Sequence, residues 1–434
     1  MKLTIDKLIY GGQGIATLPA AAGERAGMRA FVPYTLPGET VEAEIAAVHK
    51  GYCDAKPVRV IERSPERMEP ECRWFGQCGG CQLQHAVYGF QVESKRGILA
   101  ESLTRAGVRD LPAITALTGV PYGYRNRVRV VVRHGDAPAV GYRRAKSHDV
   151  LAIDACPIAH PLINACMQQL NTLAQRQQLP SELREVEIFI NHDASEMILS
   201  LHADRLSGTA RPAIEKLLQA LAAALPALQG AAIFSTAESS IRGPGMQWGR
   251  PELRYRVNDR ELRVSAGSFF QVNGTLLDAF VRAATEPHRG TLAWDLYAGV
   301  GLFSVALAGQ FARVEAVEAS PLSIEDLRKN LAGHAAHAHH AATLNYLRSQ
   351  GKNAGRRPDL VLLDPPRAGL GNEVCRLLEQ VGPPSIVYIS CDPATLGRDL
   401  KALIQSGYRI KALQLVDMFP QTSHMEAIAT LTQQ

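Results

Sequence analysis

The chain has 434 residues, 46% of them hydrophobic and 21% charged, with a formal net charge of +5. That balance excludes a disordered or collagen-like chain, and the length points to two or three domains. No run approaches the roughly 20 apolar residues of a membrane span, and Asp6 and Lys7 stand where a secretory signal would be apolar.

A cytoplasmic protein with reduced thiols is therefore expected, and eight cysteines then suggest metal ligation or catalysis rather than disulfides. Residues 1–62 read as five short strands (LTIDKLI, GIATL, RAFVP, ETVEAEIAAVH, AKPVRVIE) separated by turn signals such as GGQG and LPGE. This pattern predicts a small barrel of the OB type, a common RNA-binding module. A polar linker, SPERMEPEC, leads into a cysteine cluster. Helical periodicity follows over residues 85–106, with Val87, Phe90, Ile98, Leu99 and Leu103 apolar.

Residues 120–265 mix strands with helical stretches near 160–178 and 209–225, which predicts an α+β middle region. Between Pro121 and Lys146 stand seven basic residues (Arg125, Arg127, Arg129, Arg133, Arg143, Arg144 and Lys146) against Asp136 alone. Such a patch suits a polyanion, and equally a solvated strand face. After Phe270 strands and helices alternate to the end of the chain, predicting a doubly wound parallel sheet with a terminal antiparallel hairpin. The histidine-rich GHAAHAHHAA reads as a loop and helix surface rather than a metal tract.

Three constellations sit at predicted strand ends. Asp295-Leu-Tyr297-Ala-Gly299-Val-Gly301 ends a strand and opens a helix, and Glu318 ends the next strand. Glycines let a backbone approach a ligand closely, and a carboxylate there can bind both ribose hydroxyls of an adenosine. The third glycine of the dinucleotide pattern is replaced by Ser304, so S-adenosylmethionine fits better than NAD. Asp364 in LLDPPRAG faces the same crevice, and Arg367 in place of an aromatic counts against amine methylation. Cys391 ends the following strand. A thiolate there can add to carbon 6 of a pyrimidine and make carbon 5 nucleophilic enough to take a methyl group. The carbon-5 proton then needs a base, for which Glu426 stands near the last strand, with Asp364 as the other nearby carboxylate.

The last constellation is C-x5-C-x2-C at Cys72, Cys78 and Cys81, with Cys156 before a proline downstream. Four cysteines suit a four-iron four-sulfur cluster or zinc; a single C-x2-C pair favours the cluster. Cys53, Cys166 and Cys375 read as structural thiols.

Together these motifs resemble the iron–sulfur-containing family of RNA 5-methyluridine methyltransferases, with an N-terminal TRAM barrel. The matching segments are the four cysteines, Ser268–Asn273 (SFFQVN), Asp295–Gly301 (DLYAGVG), Asp364–Gly369 (DPPRAG), Ser390–Thr395 (SCDPAT) and Pro420–Glu426. The resemblance spans essentially the whole chain. It implies a class I S-adenosylmethionine-dependent methyltransferase fold, α/β, carrying an OB-type barrel and an α+β central domain. It implies that Gln271, Tyr297, Glu318 and Asp364 bind S-adenosylmethionine, and that Cys391 is the nucleophile and Glu426 the proton acceptor. It further implies that Phe269 stacks on the flipped base, and that Cys72, Cys78, Cys81 and Cys156 hold a 4Fe-4S cluster. The expected domains are 1–62 (barrel), 63–84 with 118–265 (central), and 85–117 with 266–434 (methyltransferase). The expected partner is RNA, ribosomal RNA first with the T-loop of transfer RNA as the alternative, bound by a monomer with no membrane contact. A non-catalytic RNA-binding or redox-sensing iron–sulfur protein is the alternative of another class, against which Cys391 and Glu426 argue. Asp392 departs from the family's asparagine after the nucleophile, and Leu302 from an asparagine near the cofactor. Asn345 is a further contact of uncertain register.

Overall fold

A computed structural model describes residues 1–206, 210–236, 243–350 and 357–433. The first five strands, Lys2–Leu8, Gln13–Thr17, Arg29–Pro33, Thr40–His49 and Tyr52–Glu62, close into a barrel. Closure follows from pairing the first strand with both the second and the fourth, which leaves no open edge. Alternation sends Leu3, Ile5, Val32 and Val41 inward, and Ala16, Ala30 and Ala43 fill the narrow interior. The linker is tied back to the barrel by Arg67, whose guanidinium bonds both oxygens of the buried Glu39.

The middle region is a seven-stranded sheet. Its order is Met246–Gly249, Leu228–Ser235, Met197–Ala203, Leu183–Ile190, Arg127–Arg133, Ala139–Arg143, Val150–Ala152. Helices Pro161–Gln175 and Ala210–Ala224 bury Ile163, Met167, Leu170, Ile214, Leu217 and Leu221 in one core with Val130, Val186, Ile188 and Leu199. A separate hairpin, Glu252–Val257 with Arg260–Ser265, packs Leu253, Tyr255 and Leu262 against Phe280 and Phe303 beyond it.

The third layer is an eight-stranded sheet. Its order is Ala336–His340, Phe311–Glu318, Gly290–Leu296, Leu360–Leu363, Ser385–Ser390, Glu426–Gln433, Tyr408–Val416, Ile114–Leu117. The first five run parallel, and Glu426–Gln433 inserts antiparallel to both its neighbours. Apolar clusters cover both faces, as the unbroken hydrophobic runs LVLL and SIVYIS require. Helix Tyr88–Arg105 lies against helix Pro393–Gln405, where a Cβ on Gly397 would stand 2.7 Å from that of Ala106. The helix is anchored by Lys95, only 1% exposed, which donates to Asp417 at 2.6 Å and to the Phe419 carbonyl at 3.0 Å.

Two expectations need correction. The histidine-rich stretch is an edge strand, Ala336–His340, not a loop and helix surface. Ala336 and Ala338 alternate onto the core, and His339 reaches Glu315 across the ladder at 2.5 Å. Polar side chains on an edge also discourage pairing with another chain. The basic segment does not present all its cations to solvent. Arg127 is paired with Glu187, stacked over Phe189 at 5.0 Å, and donates to the Ser268 carbonyl at 2.6 Å. Arg125 is turned into the cavity lined by the cysteines. Helices Leu277–Thr285 and Thr343–Gln350 were not anticipated from the sequence. No helix among the described residues is long and apolar enough to cross a membrane.

Breaking a buried ion pair strands a charge, which costs about 3–5 kcal/mol. Lys95→Met should therefore lower the urea midpoint sharply, and Lys95→Met/Asp417→Leu should recover part of the loss. Equal midpoints for the single variant and the parent would contradict the pair's role.

Candidate active site

Strand Gly290–Leu296 delivers Asp295, fully buried, to a turn in which Tyr297, Gly299 and Gly301 all have left-handed φ (68°, 56° and 95°). Glycine suits that conformation, and a tyrosine in it is strained. The turn is held by Glu318. Its Oε2 accepts the Gly299 N–H at 2.8 Å and its Oε1 the Ser320 N–H at 2.6 Å. Ser304, in the place of the missing third glycine, donates to Asp295 at 2.5 Å. The other Asp295 oxygen has no partner, and burial pushes this carboxyl up to about 7. Asp295 belongs to the turn motif, but nothing in the local pattern singles it out.

Asp364 follows strand Leu360–Leu363 and accepts from Gln271 Nε2 at 3.3 Å. Burial, and then the neighbouring Asp295, raise its pKa. The Gln271 segment is pinned from two sides. Ser265 and Ser268 donate to Asp326 at 2.7 and 2.8 Å, and Asn126 donates to the Gln271 carbonyl at 3.2 Å. Within this fixed segment Phe270 is buried while Phe269 is 65% exposed. An exposed aromatic on a rigid segment is a stacking platform.

Cys391 follows strand Ser385–Ser390, and Glu426 opens Glu426–Gln433. The register pairs Ser390 with Ala427, so one step further Cys391 stands opposite Glu426. Residues in that relation have Cα atoms roughly 4.5–5.5 Å apart. Glu426 is buried and one of its oxygens has no partner. Burial, and then Asp364, hold its pKa well above the carboxylate range, and Arg367 opposes them. Burial, and then Glu426, push the Cys391 thiol up to about 11, again opposed by Arg367. Arg367, which the sequence suggested only as an argument against amine methylation, is thus the cation that acts on both groups. It also approaches His424 Nδ1 at 3.4 Å, where burial and Arg367 keep the ring neutral. Asp392 caps helix Pro393–Gln405, accepting from Ala394 and Thr395 N–H at 3.0 and 2.9 Å. Its departure from asparagine therefore keeps the capping role. Leu302 is buried among apolar side chains, and Asn345 lies exposed on helix Thr343–Gln350.

Cys72, Cys78, Cys81 and Cys156 line one cavity of about 430 Å³ together with Arg125 and Tyr142. Gly80 N–H donates to the Cys78 sulfur at 3.4 Å. Among the described residues no three His, Cys, Asp or Glu side chains converge on a point where one metal ion could sit. Cys53, Cys166 and Cys375 are buried elsewhere.

The family model described as tRNA (Uracil-5-)-methyltransferase matches residues 88–346 and 355–434. The chain belongs to this family of RNA uracil-C5 methyltransferases. It is 34% identical to an uncharacterized RNA methyltransferase of Aquifex aeolicus over 445 residues, covering 99% of this chain and 98% of that one. It is 34% identical to the 23S rRNA (uracil(1939)-C(5))-methyltransferase RlmD of Pseudomonas aeruginosa over 440 residues, covering 99% and 93%. The crystal structure of Pyrococcus abyssi tRNA (uracil-54, C5)-methyltransferase with S-adenosyl-L-homocysteine matches over 100% of both chains, with a TM-score of 0.77 at 25% identity. The chain is thus an S-adenosylmethionine-dependent enzyme that methylates carbon 5 of uracil in RNA.

The electrostatics around Cys391 set how much of it is thiolate, the form of a cysteine that reacts with electrophiles. Alkylation of Cys391 by iodoacetamide, followed by mass spectrometry, should show a midpoint near pH 11. Glu426→Gln removes a nearby negative charge and should lower it; Arg367→Gln should raise it. A midpoint at about 8.5, the ordinary thiol value, would refute this description.

Proposed function

We propose that this enzyme methylates a uridine of 23S ribosomal RNA in the cytoplasm, with Cys391 as nucleophile and Glu426 as the base. The observation that carries the reading is the antiparallel register that sets Cys391 opposite Glu426. The Cys391 thiolate adds to carbon 6, and the electron pair moves onto carbon 5. Carbon 5 takes the methyl group, Glu426 accepts the carbon-5 proton, and the carbon 6–sulfur bond breaks to release the thiolate. When bound, S-adenosylmethionine supplies the electrophilic methyl group. The residues fit it: left-handed Gly299 faces open space beside the turn, and the buried Asp295 keeps one oxygen without a partner. Gln271, Tyr297, Glu318 and Asp364 are its proposed contacts. Phe269 is the proposed stacking partner of the uracil, which must leave its stack to be reached.

Ribosomal RNA is favoured because the RlmD relatives align over 99% of this chain, barrel included. The family model's description and the Pyrococcus abyssi structure support transfer RNA as the second reading. Mapping 5-methyluridine by mass spectrometry in both RNAs from a strain lacking the gene separates the two. We assign 1–62 to the barrel, 63–84 with 118–265 to the central domain and 85–117 with 266–434 to the methyltransferase domain. Tyr88–Arg105 and Ile114–Leu117, which pack with the eight-stranded sheet, support that discontinuity.

Cys72, Cys78, Cys81 and Cys156 are the proposed ligands of a 4Fe-4S cluster. Their shared cavity and the single C-x2-C pair support a cluster over zinc. Protein purified without oxygen should contain about four iron atoms per chain, and Cys156→Ala should lose them and lower solubility. Stoichiometric zinc without iron would rule the cluster out.

RNA bearing 5-fluorouridine at the target should trap a methylated adduct that survives denaturing electrophoresis, because fluorine cannot leave as a cation. Cys391→Ala should abolish the adduct. Glu426→Gln should accumulate it even on ordinary uridine RNA, having a nucleophile but no base. Near-normal turnover by Glu426→Gln would reassign the base, with Asp364 the next carboxylate.

A further inference from the structure

The turn that follows Cys391 is also touched from outside the methyltransferase sheet. Tyr10 lies between the first two barrel strands, 382 positions away from Asp392, and its hydroxyl donates to Asp392 Oδ2 at 3.2 Å. Asp392 Oδ1 is already taken by the Ala394 and Thr395 N–H groups at the helix end. The two carboxylate oxygens thus divide between the helix and the barrel. An asparagine would present its Nδ2 donor in place of that second oxygen, so a bond in which Tyr10 donates, to a charged acceptor, suits the aspartate in this chain.

The barrel turn is fixed in place. Gly12 has φ 79°, and a Cβ there would lie 2.8 Å from that of Gln82 and 3.1 Å from that of Ser423. Gln82 in turn accepts from the Ser423 N–H at 3.1 Å, on the loop that leads into Glu426. Tyr10 itself remains 37% exposed at the mouth of the site. The charged and titratable groups facing Cys391 are Glu426, Arg367 and Asp364 from neighbouring elements, with Asp392 following it in the chain and His424 beside Arg367.

The geometry points to Tyr10 as a positioning residue for the methyl transfer: its bond to Asp392 holds the turn that carries Cys391 and neutralises part of the Asp392 charge. This rests on Cys391 being the nucleophile. Removing the hydroxyl leaves a less compensated anion beside the thiol, which disfavours the thiolate. The same residue makes the barrel a structural part of the active site rather than only an RNA handle.

The test is the single-turnover rate of adduct formation on 5-fluorouridine RNA at saturating RNA and S-adenosylmethionine, followed against pH, with RNA affinity measured separately. Tyr10→Phe keeps the ring and its packing. It should slow adduct formation roughly three- to tenfold at pH 7.5 and move the alkaline limb up by about 0.5–1 unit, with RNA affinity unchanged. In an Asp392→Asn background the charge is gone, so adding Tyr10→Phe should cause no further loss. A rate and pH limb equal to the parent's would overturn the proposal, as would the same loss in both backgrounds or a loss confined to RNA affinity. No adduct from the unaltered enzyme would instead overturn the nucleophile assignment on which it rests.

Discussion

The insertion of Glu426–Gln433 antiparallel between Ser385–Ser390 and Tyr408–Val416 is the constraint on which the site depends. Parallel strands bring their carboxyl ends to one edge, and that edge collects Asp295, Glu318, Asp364 and Cys391. An antiparallel strand arriving there presents its amino end instead, so its first residue, Glu426, faces Cys391. A one-residue slip would turn Glu426 to the other face of the sheet. The buried pairs Ile389–Ile428 and Tyr388–Ala429 resist that slip, because both faces of the sheet are packed.

The register concentrates acid groups where water is scarce. Asp364, buried, lies in the field of Asp295, and buried Glu426 in that of Asp364, while Arg367 is a cation that relieves Glu426 and Cys391. Burial disfavours each charge, so the carboxyls hold their protons more tightly than exposed ones do. A cationic ligand entering such a site strengthens the anionic forms and is itself drawn in. That is the electrostatic logic by which a sulfonium donor and a base needed late in the reaction can share one cleft.

Apolar clusters run from the middle sheet and from the barrel into the methyltransferase layer, and a set of polar ties converges on one segment there. Gln91 exchanges two hydrogen bonds with Gln421, Tyr124 donates to the Pro420 carbonyl, and Lys95 binds Asp417 and the Phe419 carbonyl. All these partners lie within residues 417–421, just ahead of Glu426. Gln82, one residue past Cys81, bonds Ser423. The cysteine loop and the first long helix therefore both contact the short segment that leads into Glu426.

The sequence by itself determined the strand-end motifs, the five-strand barrel and the alternating sheet. Each is written in a local signal: period-2 apolar alternation, glycines at left-handed positions, and Asp, Cys or Glu where an apolar run stops. It marked Cys391 and Asp364 by position, the four cysteines by spacing, and Phe269 through the family resemblance alone. Only the tertiary structure decided which charges are free. Arg127 and Arg129 lie on one face of the same strand and both reach Glu187, but Arg127 also stacks on Phe189 and donates to the Ser268 carbonyl. Ala336–His340 became a strand because Phe311–Glu318 offered an edge and Glu315 a partner. Tyr10 reached Asp392 across 382 positions, and Arg367 came to act on two groups on other strands. A side chain's partner in a folded sheet is set by strand order and register, and those are long-range outcomes of burial that no local pattern encodes.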